Sequence, residues 1–233
     1  ECEGPGIWDY LDEIWTAMCE TIVRGLTAEG VLPGGLKVSR KASTYLVKAE
    51  SYTDSLRSRA KLYAYALATA EENASGGTVV TAPTCGSSAV MPAVLYHLVN
   101  TRNFSRLRIL RALATGGLFG NVAKTNSSIS GAEVGCQGEV GVACAMAAAA
   151  ACQLFGGTPS QIEYAAEMGL EHHLGLTCDP VCGLVQIPCI ERNAVAAMRA
   201  INALSLANFL THTRKISFDM VVKTMYETGR DLF

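Results

Sequence analysis

The sequence has 233 residues, of which 49% are hydrophobic and 17% charged, and its formal net charge is −2. A chain of this length can bury a substantial core, either as one domain or as two. The Lys and Arg residues are scattered and form no basic run, so neither nucleic acid nor an anionic membrane is an expected partner. The high apolar fraction predicts extensive internal burial or a large surface that a partner covers.

Nine cysteines occur in apolar or glycine-rich surroundings. Because the number is odd and the chain is too long to need disulfides, we expect reduced thiols, some buried and some able to bind metal. The acidic start Glu1-Cys-Glu-Gly-Pro5 does not have the form of a signal peptide, and the most apolar run, residues 140–155, is too short to span a membrane comfortably. These features predict a cytoplasmic protein without a membrane partner.

Helical periodicity dominates the chain. Residues 5–30 carry an apolar stripe at three- and four-residue steps. Further helices are predicted where such periodicity or helix-forming composition meets start and stop signals, over residues 51–73, 88–100, 105–119, 142–152, 159–171, 191–210 and 217–229. The pattern predicts an all-α, compact multi-helix domain over residues 1–233, built around the central Ala-rich helix, with at most one short strand.

Local signals give several boundaries. Thr158-Pro-Ser-Gln161 has the form of a capping box, and Ser87 or Ser88 is expected to cap the helix over 88–100. Three glycines, at positions 116, 117 and 120, are expected to close the helix over 105–119. Residues 78–88 contain the strand-like run, which passes into a Gly/Ser turn.

One glycine-rich stretch, Ser127-Ser-Ile-Ser-Gly-Ala-Glu-Val-Gly-Cys-Gln-Gly-Glu-Val-Gly141, leads directly into the Ala-rich run Val142–Cys152. It places small, polar and acidic residues around Cys136. A glycine-rich turn that feeds a buried helix brings backbone N–H groups close to whatever lies at the helix start. A tight helix–helix contact between small residues explains the glycines equally well.

Three cysteines, Cys136, Cys178 and Cys189, each lie at a turn rather than on a periodic apolar face. Cys178 precedes Asp-Pro and Cys189 follows Pro188, and prolines hold such loops in fixed conformations. Their spacing matches neither ferredoxin runs nor the paired C-x-x-C of structural zinc sites. The residues alone therefore leave both a metal site and a set of buried thiols open.

At these residues the chain resembles the iron–sulfur-dependent L-serine dehydratases, in their α (catalytic) part. The resemblance rests on five motifs, which cover nearly the whole chain in the family's order: Glu29–Gly34, Thr81–Gly86, Ser128–Cys144, Glu171–Pro180 and Gln186–Ala194. It implies that Cys136, Cys178 and Cys189 hold a [4Fe–4S] cluster with one iron lacking a protein thiolate.

The resemblance further implies that this open iron acts as a Lewis acid on the hydroxyl group of L-serine, which is deaminated to pyruvate and ammonia without pyridoxal phosphate. It implies a β domain, fused to this chain or separate, so we expect the chain to be part of a longer assembly. A homo-oligomer is also expected.

The predicted catalytic residues are His172, Lys124 and Glu133. The predicted substrate-binding residues are Thr81, Thr84, Gly86, Ser87, Asn126, Ser128, Ser130 and Gly131. Capping and turn hydrogen bonds explain the serines without a substrate, and a structural role explains His172 equally well. Glu139 is a second acid–base candidate, unless it pairs with Arg192.

The other cysteines and histidines have structural interpretations. Cys144 and Cys152, on the Ala-rich helix, are expected to be core thiols. Structural or surface roles are expected for the remaining candidates Cys2, Cys19, His97 and His212.

Two residues depart from the family pattern. Cys85 stands where the family has Asn, which affects the expected carboxylate-binding turn, and Cys182 stands where many relatives have Ala. Two other functions remain open. One is a related iron–sulfur lyase acting on L-cysteine, and the other is a non-catalytic helical partner domain whose cysteines are only buried thiols.

Overall fold

A computed structural model of the protein describes residue 4, residues 6–209 and residues 214–232. Within these ranges the chain forms ten α-helices and no β-strand, which confirms the all-α prediction. The helices are α1 Ile7–Thr27, α2 Ala42–Ala49, α3 Asp54–Ala74, α4 Val90–Thr101, α5 Arg106–Asn126, α6 Gly131–Val134, α7 Val142–Leu154, α8 Pro159–Glu171, α9 Cys189–Phe209 and α10 Phe218–Arg230. None of the helices in these ranges is both long and apolar enough to cross a membrane.

The Ala-rich helix α7 lies at the centre, as predicted, and packs against α4, α5, α8 and α9. Its alanines are fully buried, and so are Cys144 and Cys152, which confirms that these two are core thiols. Small side chains allow neighbouring helices to approach closely. A Cβ atom on Gly169 of α8 would lie only 2.9 Å from the Cα atom of Ala145, so this helix contact requires glycine.

The strand-like run within residues 78–88 forms no strand, because this segment consists of irregular backbone, bends and turns. The carbonyl oxygen of Thr78 accepts hydrogen bonds from Thr21 Oγ1 and Arg24 Nη2, both at 2.9 Å. Side chains of α1 therefore satisfy a backbone group that a neighbouring strand would otherwise bond.

The predicted end of the helix over 105–119 is wrong. The observed helix, α5, continues through the three glycines to Asn126. A Cβ atom on Gly116 would lie 2.5 Å from Met91 Cε and 2.9 Å from the carbonyl oxygen of Met146. A Cβ atom on Gly120 would lie 2.8 Å from Met146 Sδ. These glycines make room for neighbouring helices instead of ending the helix.

Two helix starts differ in how they are capped. The capping box at Thr158 is confirmed, because Thr158 Oγ1 accepts from the Gln161 N–H and Gln161 Oε1 accepts from the Thr158 N–H. The predicted serine cap of α4 is wrong: the N-cap residue is Ala89, and Ser87 Oγ instead lies 3.0 Å from Thr84 Oγ1.

A buried ionic network holds the loop between α1 and α2. The Glu71 carboxylate accepts from the backbone N–H groups of Lys41 and Ala42, and the guanidinium group of Arg40 pairs with Glu72 at 2.9 Å. The same loop supports the segment before α9, because Gln186 Nε2 donates to the carbonyl oxygen of Pro33 at 2.6 Å. Charged residues far from the cysteines in sequence thus help to place the loop that precedes Cys189.

Candidate functional site

The fold brings together the three cysteines that the sequence predicted as a site. Cys136 lies between α6 and the π-helical turn Gln137–Gly141, Cys178 lies in the loop after α8, and Cys189 is the first residue of α9. Burial, followed by the neighbouring Glu139, Cys136 and Cys189, raises the pKa of the Cys178 thiol to about 11. Burial and then Cys136 raise the pKa of Cys189, also to about 11. The three thiols are therefore close enough to oppose each other's ionisation.

Arg192, on the first turn of α9, places a positive charge beside the thiol of Cys136. Burial raises the pKa of Cys136, and the adjacent Arg192 guanidinium group partly offsets this effect. The same guanidinium donates to the carbonyl oxygen of Thr177 at 2.7 Å and to Asp179 Oδ1 at 3.1 Å. Arg192 thus links Cys136 to the two residues that flank Cys178.

Glu139 lies between the thiols and the turn before α4. Its Oε1 accepts a hydrogen bond from Thr84 Oγ1 at 3.0 Å, and its Oε2 lies 3.7 Å from Cys178 Sγ. A Cβ atom on Gly131 would lie 2.6 Å from Glu139 Oε2 and 2.8 Å from Cys178 Sγ, so any other residue here would displace these two side chains. Within the described ranges, the ion-pair partner of Arg192 is Asp179, not Glu139.

A cavity of about 730 Å³ opens beside Cys178 and Glu139. Six of the predicted catalytic and substrate-binding residues line it together with Cys178: Thr84, Lys124, Ser128, Ser130, Gly131 and Glu133. Ser128 Oγ donates to the Glu133 carboxylate and accepts from the Ser130 N–H at 3.0 Å. The cavity therefore holds one ammonium group, two carboxylates and several hydroxyl groups beside a thiol.

Four other predicted substrate-binding residues are not among those that line this cavity. Ser87 is fully buried and contacts Thr84, and a Cβ atom on Gly86 would lie 3.6 Å from Glu139 Oε1. Thr81 lines a neighbouring cavity of about 720 Å³, which shares Lys124 with the first. Asn126 ends α5 and lines neither cavity.

His172 is not among the residues that line the cysteine cavity. It lines a separate cavity of about 260 Å³ with Glu167, Glu171 and Arg214, and its side chain is 63% exposed. The next residue, His173, is buried with its Nδ1 2.7 Å from the carbonyl oxygen of Gly169, and burial lowers its pKa to about 4. The structure therefore gives no support to a catalytic role for His172.

The remaining histidine and cysteine predictions have mixed outcomes. His97 is buried and contacts Ser58, which confirms a packing role. Cys19 is half-buried and packs against the core. Cys2 and His212 lie outside the described residues.

Two buried amide side chains were missed by the sequence analysis, although both lie inside the quoted motifs. Gln137 accepts from the Gly175 N–H at 3.0 Å and donates to the carbonyl oxygen of Met225 at 3.0 Å. Asn193 bonds to Gly86 and Cys189. The available signal was an amide close to a predicted ligand cysteine, since Gln137 directly follows Cys136 and Asn193 lies four residues after Cys189.

The donor set can be tested against the implied iron–sulfur cluster. Within the described residues, no three His, Cys, Asp or Glu side chains are arranged to hold a single metal ion. A polynuclear cluster holds its thiolates farther apart than a single ion does, and iron–sulfur clusters prefer cysteine ligands. Three thiols from three segments, beside one guanidinium group and an open cavity, fit that type of ligation.

The fold and the site thus define an all-α protein in which one of three clustered thiols, Cys178, lines an open polar cavity. Residues 5–232 match the family model described as serine dehydratase alpha chain, and the chain belongs to this family. The family resemblance that the sequence motifs indicated is confirmed.

Curated relatives are similar over almost the whole chain. The L-serine dehydratase of Streptomyces coelicolor is 51% identical over 228 residues, which cover 97% of this chain and 50% of the relative. L-serine dehydratase 1 of Escherichia coli is 50% identical, with 96% of this chain and 50% of the relative covered. The L-serine dehydratase of Helicobacter pylori is 47% identical, with 94% and 50% covered. The chain thus spans about half the length of these relatives.

Proposed function

We propose that this chain is the catalytic part of an L-serine dehydratase, which converts L-serine to pyruvate and ammonia. The observation that carries this proposal is the position of Cys178, which neighbours Cys136 and Cys189 and lines the cavity that holds Lys124 and Glu133. The relatives' names point to the same reaction. Because they are about twice as long as this chain, we also propose that a further domain, fused or separate, works with it.

In this proposal Cys136, Cys178 and Cys189 would hold a [4Fe–4S] cluster. When bound, such a cluster supplies a Lewis acid that makes the hydroxyl group of serine a better leaving group. The raised pKa values of Cys178 and Cys189 support this assignment, because part of the increase comes from the crowding of anionic groups. A bound cation would relieve that crowding.

The cavity residues would bind the amino acid and move its proton. The Lys124 ammonium group is the cation of the cavity, and it would pair with the substrate carboxylate. Glu133, held by Ser128, would accept the Cα proton. Loss of this proton and of the hydroxyl group as water leaves an aminoacrylate, whose imine tautomer hydrolyses to pyruvate and ammonia. We assign no step to His172, since it lies in another cavity.

The direct test measures pyruvate release from L-serine after anaerobic reconstitution with iron and sulfide. Glu133→Gln should lower kcat by about 10²–10⁴-fold, the usual contribution of a general base. Lys124→Ala should chiefly raise KM. Glu227→Gln, on the exposed face of α10, is the matched control and should leave both constants unchanged.

The same assay separates the alternatives. Sulfide release from L-cysteine without pyruvate release from L-serine would favour a desulfidase. Failure to bind iron and sulfide would favour a non-catalytic helical domain. Full activity of the Glu133→Gln variant would remove Glu133 from the proposal.

A further inference from the structure

The side chain of Asn193 is buried at the start of α9, one turn after Cys189, with 1% of the residue exposed. Its Nδ2 donates to the carbonyl oxygen of Gly86 at 2.7 Å and to that of Cys189 at 2.9 Å. Its Oδ1 accepts from the backbone N–H of Ala89 at 3.2 Å. Both amide hydrogens and the amide oxygen therefore bond to backbone groups.

The three bonding partners belong to two different parts of the site. Gly86 and Ala89 lie in and after the turn whose Thr84 bonds to Glu139 in the cavity wall. Cys189 is one of the three clustered thiols. Ala89 is fully buried, so its N–H needs a partner within the protein, and the Asn193 oxygen provides one.

We propose that Asn193 is a positioning residue that fixes the turn 84–89 relative to Cys189, so that the substrate-binding and thiol parts of the site keep one arrangement. The substrate-binding role of the turn 84–89 rests on the proposed function, whereas the geometric link between this turn and Cys189 does not. Asn193 is not among the residues that line the cavity, and its hydrogen bonds to the two segments all go to backbone groups.

An amide suits this position better than the isosteric carboxylate. Aspartate would keep the acceptor but lose both donors, and its charge would face two carbonyl oxygens. Alanine would leave buried backbone groups without partners, and an unsatisfied buried group is costly. Because the amide is neutral, it also adds no negative charge beside thiols that already crowd one another.

Gln137 provides a matched comparison. It is also fully buried and also bonds backbone groups of two segments, but its partners are Gly175 and Met225. Gln137→Ala therefore makes a similar chemical change without breaking a bond to Cys189 or to the turn 84–89.

The test maps thiol alkylation in the iron-free protein by mass spectrometry. In Asn193→Ala, Cys189 should react about tenfold faster than in the wild type, because local opening of its segment becomes easier. Cys144, which is fully buried in α7, reports global unfolding and should not change. Gln137→Ala should leave the rate at Cys189 within about twofold of the wild type.

Equal acceleration at Cys189 and Cys144, or at Cys189 in both variants, would show general loosening and overturn the proposal. An unchanged rate at Cys189 would overturn it as well. Asn193→Asp is the second variant: it keeps the shape and the acceptor for Ala89 but loses the donors to Gly86 and Cys189, so Cys189 should again react faster than in the wild type and Cys144 should not. These measurements need no turnover, so they remain decisive if serine is not the substrate.

The second arm uses the iron-loaded protein. Asn193→Ala should retain less iron per chain and raise KM for L-serine more than it lowers kcat, because the turn 84–89 and Cys189 shift together. A destabilised variant such as Ile22→Ala, in the core of α1, is expected to lower the melting temperature without either change. Unchanged iron content and KM in Asn193→Ala would contradict the proposal.

Discussion

Burial raises the pKa of two groups of cysteines in this protein, and in one of the groups neighbouring thiols and a carboxylate add to the increase. Burial alone raises the pKa of Cys152 to about 11, and burial dominates at Cys144, whose pKa is about 12. At Cys178 and Cys189, burial is joined by the repulsion of nearby thiols and of Glu139. Repulsion from neighbouring groups, in addition to burial, therefore distinguishes a thiol in a cluster of potential ligands from a thiol that is only packed in the core.

Glycine also has different roles in the Ala-rich core and at the cysteine site. Gly169 allows α8 to approach the backbone of α7, whereas Gly131 makes room for the side chains of Glu139 and Cys178. The first contact serves helix packing and the second serves the shape of the site. Four substitutions test this contrast.

The largest effect is expected from exchanging one cysteine of each group. Cys178→Ser should abolish iron retention and serine turnover, because a hard hydroxyl group poorly replaces a soft thiolate on iron. Cys144→Ala should keep both and reduce the free energy of unfolding by about 1 kcal/mol or somewhat more. Iron content, turnover and urea unfolding check both variants. Iron loss in Cys144→Ala alone would reverse the assignment.

Adding one methyl group to each glycine should separate stability from activity. Gly169→Ala should lower the free energy of unfolding by about 1–3 kcal/mol, because the new Cβ overlaps the α7 backbone. Gly131→Ala should cost less stability, since the displaced atoms are side-chain ends, but should lower kcat/KM. Urea denaturation and steady-state kinetics measure the two effects, and equal stability losses would contradict the contrast.

The pH dependence of stability should carry the signature of buried His173. Burial holds its pKa near 4, below the ordinary value of 6.5, so the unfolded state takes up the proton first. Stability is therefore present above pH 6.5 and is lost as the pH falls towards 4, by up to about 3 kcal/mol at 1.36 kcal/mol per pKa unit. His173→Gln should flatten this decrease in urea unfolding measured across the range.

Glu167 provides the control of opposite sign. Burial and the neighbouring Glu171 raise its pKa to about 7, so its folded form holds a proton that the unfolded chain has lost. Its contribution to stability is lost as the pH rises from about 4.5 to about 7. Glu167→Gln should therefore steepen the decrease on acidification, and the same slope change in both variants would contradict the opposite pKa shifts of His173 and Glu167.

The smallest effect is expected at Cys182, an exposed residue with a positive φ of 56°. A residue with a Cβ atom is strained by about 1–2 kcal/mol in this left-handed region, whereas glycine is not. Cys182→Gly should raise the free energy of unfolding by up to about 1 kcal/mol and leave iron content unchanged. Loss of iron in this variant would make Cys182 a ligand and contradict the three-cysteine site.

The sequence by itself determined the helical fold, the central Ala-rich helix and the capping box at Thr158. These features depend on local periodicity, composition and side-chain–backbone bonds between near neighbours. Its motifs also identified the family and the three cysteines, because those residues lie in long, ordered signatures.

The roles of glycines, the partners of polar backbone groups and the contacts between distant segments depend on the tertiary structure. Gly116 and Gly120 lie inside α5 because their space is filled by Met91 and Met146, and residues 78–88 form no strand because α1 side chains bond Thr78. His172 lies outside the cysteine cavity because α8 ends facing another part of the surface. Such outcomes depend on which segments meet in space, and local pattern carries no information about these long-range contacts.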